Sequence, residues 1–383
     1  VPDLYIGLMS GTSMDGVDAV LVSLPPLANR AIQKPSPLKV LAHVHQAYPD
    51  ALVNELLSLN HAGPDELHRA ALAANAVTEV YAMAVQQLIE AASVTSRQIT
   101  AIAAHGQTVR HQPRLKDGSL GYTLQLNQPA LLAERCGIDV VADFRNRDVA
   151  AGGQGAPLVP AFHRAVFGEP GEHRAVLNIG GISNLSLLKQ DGSCLGLDCG
   201  PGNVLMDLWC KQHRGTAYDE GGRWAASGRI VAPLLDALLA EPYFSKPAPK
   251  STGRDLFNAD WLSQKLRSLE QGHVPAAPDV QATLLALTAQ TIAADLNRYM
   301  REVQTVFVCG GGAYNRALMT ALAQALPGVT IQTTAELGLP PEQVEAAAFA
   351  WLAWAYKHRM PGNVPAVTGA AGPRVLGALY PAG

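Results

Sequence analysis

The sequence has little charge, no C-x-x-C pair and no long apolar run. Only 16% of its 383 residues are charged, and 29 Lys plus Arg against 32 Asp plus Glu leave a formal net charge of −3. That balance gives no general attraction for nucleic acid or acidic lipid, so neither is an expected partner, and small neutral or anionic substrates stay open. The five cysteines, Cys136, Cys194, Cys199, Cys210 and Cys309, are odd in number, which argues against a complete internal disulfide framework and suits a reducing cytoplasm. No stretch approaches the ~20 uninterrupted apolar residues of a membrane span, and VPDLYIGLMSGTS lacks a basic region leading into an apolar signal segment. The expectation is a soluble chain that is not exported.

What is present is an apolar majority. With 48% hydrophobic residues the chain is too apolar for disorder, and its length suggests two or three domains. LYIGLMSGTSMDGVDAVLVSL reads as an apolar run, a turn rich in Gly and Ser/Thr, and a second run alternating around Val17, Ala19, Leu21 and Ser23, which is a β-hairpin signature. AVLNIGG followed by ISNLSLLK repeats the pattern about 170 residues later. Each hairpin is followed by a long helical segment. In Glu66 to Ala92 the apolar positions are Val77, Tyr81, Val85 and Leu88, and in the second half they are Val280, Leu284, Leu287, Leu296 and Tyr299. Both segments lead into an apolar strand and a glycine turn, ITAIAAHG and VQTVFVCGGG. The expected fold is α/β with two topologically similar halves.

Gly11, Thr12, Ser13, Asp15, Gly16 and Asp18 crowd the first turn, where bare glycine backbone and hydroxyls suit phosphate oxygens, or where Asp and Ser bond to their own backbone. Gly180, Gly181, Ser183 and Asn184 hold the same place in the second hairpin. Gly310, Gly311 and Gly312 join a strand to a helix, a place that favours an anion but is also an ordinary turn. Asp198, in GLDCGPGNVLMDLW, follows an apolar run, as a catalytic carboxylate at a strand end or as one bonded to turn amides. Asp143, Arg145, Arg147 and Asp148 form either a carboxylate clamp or a solvated ion cluster. His105, Gln107 and Thr108 suit sugar hydroxyls, and no Cys or second His stands at zinc-ligand spacing. Glu345 is a carboxylate on an otherwise apolar helix. The loop at 24–37 and the segment EPYFSKPAPKSTGR, which lacks the G-x-x-x-x-G-K spacing, receive no role.

Taken in order, LMSGTSMDGVD, AAHGQTVRH, ADFRNRDVAAGGQGAPLVP, LNIGGISN, LDCGPGNVLMD and CGGGAYN resemble the anhydro-N-acetylmuramic acid kinases from Tyr5 to Tyr380. The resemblance implies the hexokinase/heat-shock-protein-70/actin superfamily, with two duplicated ribonuclease H-like domains around an ATP cleft. Domain I would be 1–150 plus about 341–383, on the sugar and phosphate side, and domain II 151–340, on the nucleotide side. It further implies an ATP- and water-dependent conversion of 1,6-anhydro-N-acetylmuramic acid to N-acetylmuramic acid 6-phosphate in peptidoglycan recycling, with Mg²⁺ held mainly by phosphates and a homodimer. By motif, Gly11, Thr12, Ser13, Met14, Asp15, Gly16, Val17 and Asp18 match the ATP phosphate segment, and Gly180, Gly181 and Gly310 to Gly312 complete the nucleotide site. Asp198 matches the catalytic base, and Thr108, Arg147 and Glu345 match sugar-contacting positions. An ordinary sugar kinase and an actin-like structural protein are the alternatives of other classes.

Overall fold

The computed structural model describes residues 2–11, 14–25, 38–269 and 275–383, so Thr12, Ser13 and most of the 24–37 loop lie outside the described residues. The chain divides into two compact units, residues 1–166 with 343–383 and residues 167–342.

The strands of the first unit are β1 (Asp3–Met9), β2 (Gly16–Leu24), β3 (Lys39–Ala47), β4 (Ile99–Ala104), β5 (Gln107–Arg114), β6 (Leu120–Leu126) and β7 (Val140–Ala142). Its main sheet runs β3-β2-β1-β4-β7, with a last short strand, Ala378–Tyr380, beside β7. The first three strands are antiparallel neighbours, whereas β4 is parallel to β1 and β7 to β4. Central strands β1 and β4 read as apolar runs because helices cover both faces, while the outermost β3 alternates. The helix Glu66–Ala92 buries Val77, Tyr81, Val85 and Leu88, the positions its spacing marks. The helix Val344–Lys357 packs on β1 with small Ala346 and Ala350 at the contact. Gly7 permits this approach, since any Cβ there would run into the Ala346 carbonyl.

The second unit repeats the plan with β8 (Arg174–Ile179), β9 (Ile182–Leu188), β10 (Cys194–Pro201), β11 (Thr305–Cys309) and β12 (Thr330–Thr333), in the order β10-β9-β8-β11-β12. The pair β8/β9 and the pair β9/β10 are antiparallel, and β11 is parallel to both β8 and β12. Numbered within each unit, both sheets therefore read 3-2-1-4-5 with the same strand senses. The long helix Ala277–Tyr299 buries Val280, Leu284, Leu287 and Leu296 in the core of this unit. One element departs from the sequence expectation. Between β4 and the helix Pro129–Cys136 stands the separate antiparallel ribbon β5/β6, where the sequence suggests only a glycine turn.

Candidate active site

In the second unit the hairpin turn between β8 and β9 is Gly180-Gly181. Its carbonyls accept from the amides at the start of the helix Val204–Arg214: Asn203 N donates to Gly180 O at 2.8 Å, and Val204 N to Gly181 O at 3.1 Å. The Gly181 amide has no protein acceptor among the described residues. Gly310 closes on the same place with φ +76°, and a Cβ there would run into Asn178 Oδ1 at the end of β8. Gly312 packs on Ile179, and Gly311 lies open beside Asn203. The two glycine clusters of this half, far apart in sequence, thus share one corner of the sheet.

Asp198 is in the same row. It pairs with Asn184 on β9, Asn184 pairs with Asn178 on β8, and Asn178 pairs with Cys309 on β11. A bulge follows Asp198, so it sits inside β10 at an irregularity and not at the strand's end. Its Oδ2 accepts from the Thr252 amide and from Ser251 Oγ, both at 3.0 Å. Its backbone is fixed as well, since Asp198 N donates to Lys250 O at 3.0 Å and Tyr243 Oη donates to Asp198 O at 2.8 Å. Burial pushes the carboxyl up to about 6, against the lowering effect of the Thr252 and Ser251 hydrogen bonds and the Lys250 charge. Oδ1 makes none of these bonds, so a lone-pair oxygen is left open on this carboxylate.

The segment behind this arrangement is the one to which the sequence reading gives no role. Lys250 is buried against Asp295, Nζ to Oδ2 2.9 Å, and also donates to Phe244 O at 3.3 Å. Ser251 and Thr252 then reach Asp198, and Arg254 stands beside Gly181. The signal in the sequence is a hydroxyl pair and a glycine between Lys and Arg, which the absence of phosphate-loop spacing hides.

In the first unit the turn between β1 and β2 is held from outside. Gln107 Nε2 donates to Gly11 O at 3.0 Å, and Ser10 Oγ meets Tyr81 Oη at 2.6 Å and donates to Gly106 O at 3.2 Å. Tyr48 N donates to Asp15 O at 3.1 Å. Met14 has φ 56° and a buried side chain, and the Val17 side chain is fully buried, so Val17 offers a ligand only backbone. Gly16 is closed in by the backbone of Gln46 on β3. Asp18 is bonded to His45 Nδ1 at 3.0 Å and His43 Nε2 at 3.4 Å; burial raises its pKa, but these two partners prevail and hold it below the ordinary carboxylate range.

Arg145 is half-buried and already engaged. Its Nε donates to His105 Nε2 at 3.0 Å and its Nη1 to Gly155 O at 2.8 Å, and the Glu345 carboxylate supports its charge. Burial lowers Arg145 to about 10 and, with the adjacent guanidinium, holds His105 neutral. Asp148 is fully buried and structural, accepting from Gly155 N, Asn363 Nδ2 and Thr368 Oγ1. Arg147, by contrast, is exposed on the short helix Asn146–Ala150, and no carboxylate among the described residues pairs with it. Of the two arginines, only Arg147 is free to clamp. Thr108 lies on β5, its Oγ1 accepting from Gln125 Nε2 at 3.3 Å, and the β5/β6 ribbon is tied to the Arg147 loop by Arg114 Nη2 donating to Gly152 O at 3.1 Å.

Two 3-2-1-4-5 α/β units, with a half-buried carboxylate among glycine turns in one of them, define a duplicated ribonuclease H-like fold. The model of the family described as anhydro-N-acetylmuramic acid kinase matches residues 3–382, and the chain belongs to that family. A protein of that name from Bordetella petrii is 58% identical over 380 residues, 99% of this chain and 96% of the other. Another from Cupriavidus metallidurans is 55% identical over 382 residues, covering 99% and 98%.

Proposed function

We propose that the chain uses ATP and water to open the 1,6-anhydro ring of 1,6-anhydro-N-acetylmuramic acid and phosphorylate O6, as a step of peptidoglycan recycling. One observation carries the chemistry. Asp198 has one carboxylate oxygen held by Ser251 and Thr252, the other left to take a proton, and a pKa near 6 that leaves it ionised at neutral pH. The anhydro bridge joins C1 to O6. Water attacks C1 and gives a proton to Asp198 Oδ1 while the C1–O6 bond breaks with its electron pair on O6. That oxygen attacks the γ-phosphorus, and the bond to the β-phosphate oxygen breaks to release ADP. The phosphoryl group thereby replaces the second, protonated carboxyl that an inverting glycosidase needs for its leaving oxygen.

Gly180, Gly181 and Gly310 to Gly312 take the nucleotide in this assignment, and the motif Gly11 to Asp18 is assigned to its phosphates. Thr108, Arg147 and Glu345 belong to the sugar side, Glu345 in part through Arg145. Mg²⁺ would enter on the phosphates and screen their charge. Among the described residues no group of three His, Cys, Asp or Glu is placed to hold a metal ion. Cytoplasmic location and a homodimer are part of the same proposal. No helix among the described residues is long and apolar enough to cross a membrane.

Turnover in ¹⁸O-labelled water tests it. The label should enter the anomeric hydroxyl with inversion at C1, and none should enter phosphate. Label in phosphate would mean plain ATP hydrolysis, and no label at C1 beyond spontaneous anomeric exchange would mean a kinase acting on a free hydroxyl.

A further inference from the structure

Arg254 stands apart from the other cations of the second unit. Its guanidinium is exposed, and among the described residues no hydrogen bond or ion pair holds it. It lies over the Gly180-Gly181 turn, with Nη2 3.7 Å and Nε 3.9 Å from the point a Cβ on Gly181 would occupy. The Gly181 amide beside it also lacks a protein acceptor among the described residues. The backbone that presents it is fixed at both ends: Ser251 and Thr252 bind Asp198, and Asn258 Nδ2 donates to Arg254 O at 3.2 Å. Across from it, burial raises Asp207 to about 7, with the Arg254 charge opposing that rise. A free guanidinium and a free amide converging on one turn form a site for phosphate oxygens. Three residues earlier in the chain, the same segment grips the proposed base.

We propose that Arg254 binds the terminal phosphate of the nucleotide and stabilises the charge that gathers on the phosphoryl group as it passes to O6. This rests on the phosphotransfer assignment above. Arg254 stays protonated throughout and exchanges no proton. Its planar fork donates to the equatorial oxygens while the bond to the β-phosphate oxygen lengthens and that to O6 forms. The short stretch from Ser251 to Arg254 then couples the two ends of the reaction, water activation and phosphoryl stabilisation, in one rigid loop.

The full-length Arg254→Ala variant tests this by nucleotide titration and by turnover. ATP affinity should fall about tenfold, ADP less, and AMP should bind as to the wild type. The kcat should fall about 100-fold, as when one preorganised donor to a transition-state oxyanion is removed, and added guanidinium ion should restore part of it. The acid limb of the pH profile should stay where the wild type has it. Unchanged ATP affinity and kcat would overturn the proposal, as would an equal loss for AMP, which would mark Arg254 as structural. Wild-type enzyme that binds ATP but does not turn over the anhydro sugar would remove the substrate assignment alone, because the ATP-against-AMP comparison still reports on Arg254.

Discussion

Ser251 Oγ donates to the same Asp198 oxygen, Oδ2, that the Thr252 amide holds, each at 3.0 Å. Both bonds favour the charged carboxylate, so they work against the burial that lifts it to about 6. A base must be ionised to act. The kcat/KM profile should therefore fall on the acid side with a midpoint near pH 6, and Ser251→Ala should shift that limb to higher pH. A stopped assay from pH 5 to 8.5 is enough, and a limb that does not move would take Ser251 out of the positioning role.

Asp198→Asn keeps the shape of the side chain and loses the proton acceptor. Turnover should drop by about 10²–10⁴, the usual worth of a general base, with both ligands still bound. Stability adds a second readout. A carboxyl whose folded pKa is raised favours folding below its unfolded pKa, and that contribution is lost as pH rises through about 6. The Asn variant should accordingly gain on the wild type between about pH 4 and 6, by at most about 3 kcal/mol. Denaturant midpoints across that range measure it.

The ion pair Lys250–Asp295 is almost wholly buried, its side chains 2% and 5% exposed. Lys250→Met leaves a buried carboxylate without its cation and should cost about 3–5 kcal/mol, while adding Asp295→Leu should recover most of that loss. Chemical denaturation of the single and double variants tests this. If the double variant is as stable as the wild type yet slower in turnover, the pair serves to aim Ser251 and Thr252.

The frame of the molecule is legible in the sequence because burial writes period into it. Val77, Tyr81, Val85 and Leu88 mark a helix by spacing, and the two hairpins declare the duplication through their glycine turns. The β5/β6 ribbon is not legible. It stands as a two-stranded sheet with little buried surface, so Arg110, His111, Gln112 and Arg114 carry no alternation for a reader to find. Asp198 is visible as a candidate, but its partners Ser251 and Thr252 are 53 and 54 residues away, and only the fold brings them together. Arg145 and Arg147 show the same limit. Two residues apart and alike in sequence, one is bonded to His105 and the other faces solvent.

That contrast fixes the last prediction. Arg145 has its hydrogen bonds satisfied by His105 and Gly155 and its charge met by Glu345, so Arg145→Ala should damage the fold and lower all activities together. Arg147 has no such partners among the described residues, and in the proposed complex its guanidinium meets the lactyl carboxylate of the sugar. Arg147→Ala should raise KM for the lactyl-bearing anhydro sugar by the equivalent of about 1.5–3 kcal/mol, the range for a hydrogen bond to a charged group. ATP affinity and thermal stability should not change. Competition with an anhydro sugar lacking the lactyl group separates recognition from structure. The wild type should prefer the lactyl-bearing sugar and the variant should discriminate little, since removal of the guanidinium costs only the ligand that carries the carboxylate. If the variant loses affinity for both sugars equally, the carboxylate is bound elsewhere and Arg147 merely shapes the loop.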